Sequence, residues 1–306
     1  MTQLFGIASV QIQTVPWDLD ATLKRMEQHL QFIKDIYPWV NLACFPELCS
    51  YGIEPFEPAS LTFDKRNKAE EIPGPLSDRL SQMAKHYQVW LSPGSIYERE
   101  ADVIYNTAPI FSPQGELVAR YRKLFPWRPF ETTASGRDFC TFEIPNIGCF
   151  GLMICYDGWF PEVIRTLIWK GAEVIIHPTL TYTIDRSPDL VVIQSHAILN
   201  QCYMINTNAA QSAAAGRSII VDPNGRVLQQ AGPGEEILTE VIDLDLVRQV
   251  REFGTLGLDQ HLKQIRDFEG EFPIYTEGIK NGKLFQTLGP IKMVKNIKDG
   301  FKSPKA

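Results

Sequence analysis

The chain has 306 residues, 44% of them hydrophobic and 22% charged, with a net charge of −6. This supplies a sizeable core, excludes wholesale disorder, and argues against a nucleic-acid surface. No run approaches the roughly 18 consecutive apolar residues of a membrane span, and the start, MTQLFGIASVQIQ, lacks a basic region ahead of an apolar one, so neither a membrane segment nor a secretory signal is expected.

Residues 4–13, LFGIASVQIQ, read as a buried strand. Asp18 can cap a helix whose apolar positions, Leu19, Leu23, Met26, Leu30 and Ile33, recur at helical spacing until Tyr37-Pro38 ends it. VNLACFPE (40–47) is a second strand running into a loop, 48–75 is irregular, and a helix near 76–87 precedes a strand at VWLSPGSIY. NTAPIFSPQGELVARY (106–121) and GRSIIVDPNGRVLQQA (216–231) share one plan, strand, Pro-x-Gly turn, strand. Between them, 147–178 reads as strand, cysteine, helix, strand: Gly158 and Pro161 open the helix, Phe160, Val163, Ile164, Leu167 and Ile168 form its apolar stripe, and Gly171 stops it. A further helix from Ser187 leads to a strand at 202–208. The recurrence of helix between strands on both sides of residue 150 points to two similar αβ halves within one domain. Beyond about residue 250 periodicity fades, and the last sixteen residues carry five Lys against one Asp, which reads as a solvated or subunit-embracing arm.

Six cysteines occur, none in a CxxC pair and none beside histidines at zinc spacing, so no metal site is expected. Such scattered thiols suit a reducing, cytoplasmic setting. Cys44, Cys140, Cys149 and Cys202 lie in or beside apolar runs and read as small buried hydrophobes. Cys155 is different. It sits at a strand-to-helix joint, where N–H groups and the helix dipole favour negative charge, so a lowered thiol pKa is expected. The same N–H groups could hold an oxyanion. Glu47 ends an apolar strand, where α/β active sites lie, although a carboxylate there is also an ordinary loop residue. Lys123, among Arg120, Arg122 and Arg128, reads alone as part of a solvated basic face. His177 is the candidate base if Cys155 works with a histidine; a pocket-edge or structural role is preferred.

Together these residues resemble the nitrilase superfamily of carbon–nitrogen hydrolases, which draws a Glu, a Lys and a Cys from three segments. The matching runs are FPEL (45–48), YRKLFPW (121–127) and GLMICYDGWFPEVIRTLIWKGAEVII (151–176), in family order and at family intervals. The likeness spans residue 4 to about 245 and is closest to the aliphatic amidase and formamidase branch, through RKLFPWRPFE with Trp127 and Glu131, and through CYDG followed by Pro161-Glu162. Two runs depart from that branch, TTASG (132–136) and HPTLTYTID (177–185), and both are expected to border the acyl pocket.

The resemblance implies an α/β fold, a four-layer αββα sandwich with internal pseudo-symmetry, as a catalytic domain over 1–250 with a C-terminal extension over 251–306. It implies hydrolysis of a small carboxamide to acid and ammonia without metal or cofactor. Cys155 would be the nucleophile and Glu47 the general base. Lys123 and the Tyr156 N–H would stabilise the oxyanion, and Glu131 would position Lys123 and the amide. Trp127, Tyr156, His177 and Tyr182 are the expected substrate-binding residues, with Trp127 a wall favouring small acyl groups. It further implies association into a homo-oligomer, dimer or larger, with no nucleic-acid or membrane partner. The alternatives are a nitrilase, an N-carbamoyl-amide hydrolase, acyl transfer to another acceptor, or a non-catalytic scaffold of the same fold.

Overall fold

A computed structural model describes residues 3–53, 64–211 and 213–292. Most of the basic tail lies outside these residues. Two sheets form the centre. The first has the order β13-β1-β2-β3-β5-β4, with β6 added on β5; the second runs β12-β11-β10-β9-β8-β7. The strands of the first are β1 (Leu4–Gln11), β2 (Val40–Cys44), β3 (Trp90–Ser92), β4 (Ile96–Glu100), β5 (Val103–Phe111), β6 (Leu117–Arg122) and β13 (Glu236–Asp243). Those of the second are β7 (Thr141–Ile144), β8 (Gly148–Leu152), β9 (Val174–Thr179), β10 (Tyr203–Asn208), β11 (Ile219–Val221) and β12 (Val227–Gln230).

The expected symmetry is visible in the pairing. In the first sheet β1, β2 and β3 are parallel, with antiparallel β13 on one side and β5 and β6 on the other. In the second β8, β9 and β10 are parallel, with antiparallel β7 on one side and β11 and β12 on the other. Each parallel trio is joined by two helices, α1 (Leu19–Ile36) and α2 (Pro75–Tyr87) in the first half, α3 (Pro161–Trp169) and α4 (Arg186–Asn200) in the second. As the sequence suggests, Asp18 caps α1 by accepting from the Ala21 N–H.

Alternation along β1 builds the layers. Ala8 and Val10 pack with Leu23, Met26, Leu30 and Ile33 of α1 and Leu76, Leu80 and Met83 of α2. Phe5 and Ile7 face the second sheet, where Phe5 meets Phe150 of β8 edge-on at 5.6 Å. The next residue, Gly151, faces outward: a side chain there would meet Leu167 of α3. The result is helices, sheet, sheet, helices. After β13 come α5 (Leu244–Phe253) and short helical turns α6 (His261–Arg266), α7 (Pro273–Thr276) and α8 (Lys283–Thr287).

One strand reading is corrected. VWLSPGSIY is two strands, β3 and β4, broken at Pro93-Gly94. Gly94 has φ +86°, and a Cβ there would fall 1.7 Å from the Pro46 carbonyl oxygen. The break therefore lets the chain pass against the loop that carries Glu47. No helix among the described residues is long and apolar enough to cross a membrane.

Candidate active site

Four loops converge where the parallel strands end: those after β2, β6, β8 and β9. The first carries Glu47. Its N–H donates to the Thr179 carbonyl of the opposite sheet at 3.2 Å, and its Oε1 accepts from Asn106 Nδ2 of β5 at 2.8 Å. The same Asn106 accepts, through its carbonyl, the Lys123 N–H at 2.8 Å. One strand residue thus sets both loops.

Lys123 is buried, its side chain 1% exposed. Its Nζ lies 2.8 Å from Glu47 Oε1 and 2.8 Å from Glu131 Oε2. Glu131 is fixed in turn: Oε2 accepts from the Trp127 N–H at 2.6 Å. Burial alone would push the ammonium down, but Glu131 and Glu47 overcome it and hold Lys123 well above its usual range. Burial raises the Glu47 carboxyl, opposed by Lys123 and reinforced by Glu131. The loop from β6 therefore brings a cation to two carboxylates, rather than joining the solvated face that its arginine neighbours suggest.

Cys155 opens a 3₁₀ turn, Cys155–Trp159, and α3 begins only at Pro161. Its φ of +46° is left-handed, a conformation that non-glycine residues hold only when the surroundings impose it. Asp157 imposes much of it. Its Oδ2 accepts from the Ile154 N–H at 2.9 Å and from Tyr121 Oη at 2.7 Å, and its Oδ1 from the Phe125 N–H at 2.8 Å. This buried carboxylate ties the cysteine turn to the lysine loop.

The expected lowering of the thiol pKa is corrected. Burial, followed by the Glu47 carboxylate, pushes Cys155 well above its usual range, and Lys123 opposes this only in part. The intervening turn separates the thiol from the α3 terminus. The resting thiol is neutral, with a carboxylate beside it to take its proton.

These groups line a cavity of about 250 Å³. Glu47, Lys123, Glu131 and Cys155 lie on it together, and so do Trp127, Tyr156 and Tyr182. Trp127 and Tyr182 meet edge-on at 6.1 Å. Thr181 Oγ1 lies 3.9 Å from Cys155 Sγ. His177 is not on the cavity. It is fully buried behind the turn, with Nε2 2.9 Å from the Cys155 carbonyl oxygen, and burial lowers its pKa to about 3. The substrate-binding expectation for His177 is therefore corrected: His177 shares the helix-facing side of β9 with Ile175, the partner of Gly151, and that side carries it away from the opening. Of the two departing runs, residues 180–183 and Asp185 border the cavity. Residues 132–136 do not: they line separate surface hollows. Asn106, Asp157, Thr181 and Asp185 were not singled out from the sequence. Their signal was faint: a polar residue inside an apolar strand, and an aspartate read only as part of a signature.

Among the described residues no group of three or more His, Cys, Asp and Glu side chains is placed to hold a metal ion. The arrangement can supply a nucleophile, a base and a fixed cation to one small bound group.

The carbon–nitrogen hydrolase family profile matches residues 6–252. The human omega-amidase NIT2 is 32% identical over 200 residues, 60% of this chain and 72% of that protein. The omega-amidase NIT3 of Saccharomyces cerevisiae is 28% identical over 272 residues, 82% and 91% of the two chains. The crystal structure of yeast Nit3 superposes with a TM-score of 0.73 at 29% identity, covering 82% of this chain and 94% of that one. A carbon–nitrogen hydrolase from Helicobacter pylori shares the fold, with a TM-score of 0.72 at 24% identity over 88% of this chain and 99% of that one. The αββα architecture, the profile match over most of the chain and these relatives agree: the chain belongs to the carbon–nitrogen hydrolases of the nitrilase superfamily and is a hydrolase of C–N bonds.

Proposed function

We propose that the chain hydrolyses a small aliphatic carboxamide to the carboxylic acid and ammonia through a thioester on Cys155. The observation that carries this reading is the buried ammonium of Lys123, held 2.8 Å from each of two carboxylates on the cavity that Cys155 opens into. Glu47, its carboxyl raised by burial, takes the thiol proton as Sγ attacks the amide carbon. The carbonyl oxygen becomes an oxyanion against Lys123 Nζ and the Tyr156 N–H. Collapse of that intermediate breaks the C–N bond, and Glu47 returns the proton to the departing nitrogen. Water, deprotonated by Glu47, then attacks the thioester, and the acid leaves with the thiol restored. Glu131 holds Lys123 in line through both carboxylate oxygens, at 3.0 and 2.8 Å, and would position the substrate amide from the cavity wall.

The cavity volume supports a small acyl group, since pockets for drug-sized ligands run to roughly 300–1,000 Å³. Trp127 would set the limit. The omega-amidase relatives support amide over nitrile chemistry. The test is ammonia release from formamide, acetamide, propionamide and longer amides, with Cys155→Ala as control. Release that vanishes in the variant is expected. Turnover of nitriles or ureido acids with none of any amide would overturn the assignment.

A further inference from the structure

Behind the nucleophile runs a file of three buried side chains that ends on a backbone carbonyl. Arg186 Nη2 lies 2.7 Å from Asn206 Oδ1, Asn206 Nδ2 lies 3.0 Å from His177 Nδ1, and His177 Nε2 lies 2.9 Å from the Cys155 carbonyl oxygen. The three side chains are buried, and Asn206 and His177 are direct cross-strand partners on β10 and β9. The polarity of every bond is forced. A guanidinium only donates and a carbonyl only accepts. Asn206 must therefore present its oxygen to Arg186 and its N–H to His177, and His177 must carry its proton on Nε2. The ring has no slack: a side chain at Gly158 would fall 2.8 Å from His177 Cε1. The far end is a cation anchored by Asp189 at 2.6 Å, and Asp189 lines the cavity.

We infer that His177 is a positioning residue for the oxyanion site: by holding the Cys155 carbonyl inward it aims the Tyr156 N–H of the same peptide at the substrate oxygen. In a trans peptide C=O and N–H point opposite ways, so a carbonyl pulled toward β9 turns the following N–H away from it. The Asp157 N–H is already committed to the Ile154 carbonyl, which leaves the Tyr156 N–H for the ligand. A file of aligned donors ending at a guanidinium also polarises that peptide, strengthening the N–H as a donor. This inference rests on the thioester reading above.

The test separates oxyanion binding from thiol reactivity in His177→Leu and His177→Gln. Alkylation of Cys155 by iodoacetamide forms a C–S bond, releases iodide and develops no oxyanion. Addition of propionaldehyde gives a thiohemiacetal whose oxygen occupies the oxyanion position. The expected result for His177→Leu is alkylation within about threefold of wild type, with aldehyde affinity and amide kcat/KM both reduced by a factor of 10 to ~100, below the loss for deleting a donor outright. His177→Gln, which can still donate to the carbonyl, restores part of both. If His177→Leu does not fold, Asn206→Ala serves: it frees the imidazole to place its proton on Nδ1, and the same split is expected. Aldehyde affinity unchanged in a folded variant, or alkylation and aldehyde binding lost in parallel, would overturn the inference. The aldehyde arm needs no amide turnover, so absence of amidase activity with an intact split would count against the proposed reaction alone.

Discussion

Lys123→Met removes the cation from between the buried Glu47 and the partly exposed Glu131 and keeps most of the side-chain volume. In the native site Nζ spans Glu47 Oε1 and Glu131 Oε2, each at 2.8 Å, with the lysine side chain 1% and the Glu47 side chain 3% exposed. Breaking a buried pair by deleting one partner costs about 3–5 kcal/mol, because the remaining charge stays desolvated. Here Glu47 stays buried without its partner, and the neighbouring Glu131 further disfavours its ionisation. The loss is expected within that range near pH 8. Its pH dependence has a definite sign. Without Lys123 the folded-state pKa of Glu47, already raised by burial, moves further up. A folded-state pKa above the unfolded value means that the native state binds more protons, so stability falls as pH rises through the folded value. The deficit of the variant should therefore shrink toward pH 5, by about 1.4 kcal/mol for each unit of added shift. Adding Glu131→Gln, which removes one of the two opposed charges, should recover part of the loss at high pH. Urea unfolding followed by circular dichroism at several pH values reads all of this. A variant within about 1 kcal/mol of wild type at pH 8, a loss in the range of surface pairs, would refute the picture of a closed ion-paired centre.

The other predictions concern the pocket wall, the buried aspartate and the outer helices. Trp127→Gly should shift the acyl-chain preference toward hexanamide by about tenfold or more in kcat/KM, in line with the worth of a few methylenes in an apolar pocket; an unchanged chain-length profile would remove Trp127 from that role. Burial raises the Asp157 carboxyl from 3.8 to about 6, so ionising it in the fold costs about 3 kcal/mol across that window. Asp157→Asn loses an acceptor but has no charge to bury. The stability gap between wild type and variant should therefore narrow as pH rises from about 4 to 7, and a gap that stays constant in urea titrations would contradict the burial argument. Trp169 on α3 and Val191 and Leu199 on α4 are exposed at 84%, 67% and 50%, which supports the proposal that a second copy of the chain covers these helices. Sedimentation should show an oligomer that Trp169→Glu dissociates, and a wild-type monomer would refute it.

Glu47, Lys123 and Cys155 were legible because each stands in a short contiguous run. FPEL follows β2, YRKLFPW runs out of the end of β6 and GLMICYD out of the end of β8, and local runs survive in sequence whatever the rest of the chain does. Glu131 was legible for a similar reason: its bond to the Trp127 N–H closes one short loop. The thiol pKa was misread because the sequence shows only what is near along the chain. It shows a helix start after Cys155, but neither the burial of the thiol nor Glu47, which arrives from the other sheet.

His177 shows a different kind of limit. A strand with one wet face alternates, and the alternation tells which side chains point to solvent. In β9 all six residues are buried, so the pattern has no phase and His177 was as free to face the opening as the interior. The same holds for Asn206 in β10, also buried throughout. Yet a doubly buried strand carries a signal of its own. Polar side chains there must find partners in the interior, since an unpaired buried donor or acceptor costs about 1–3 kcal/mol. His177 and Asn206 are such residues in apolar runs, and each was bound to belong to a network. Asn106 within the buried stretch of β5 is a third, and its partner is Glu47. Read this way, the polar exceptions in the central strands indicate the framework behind the site, and the motif runs at the strand ends indicate the groups that framework aims.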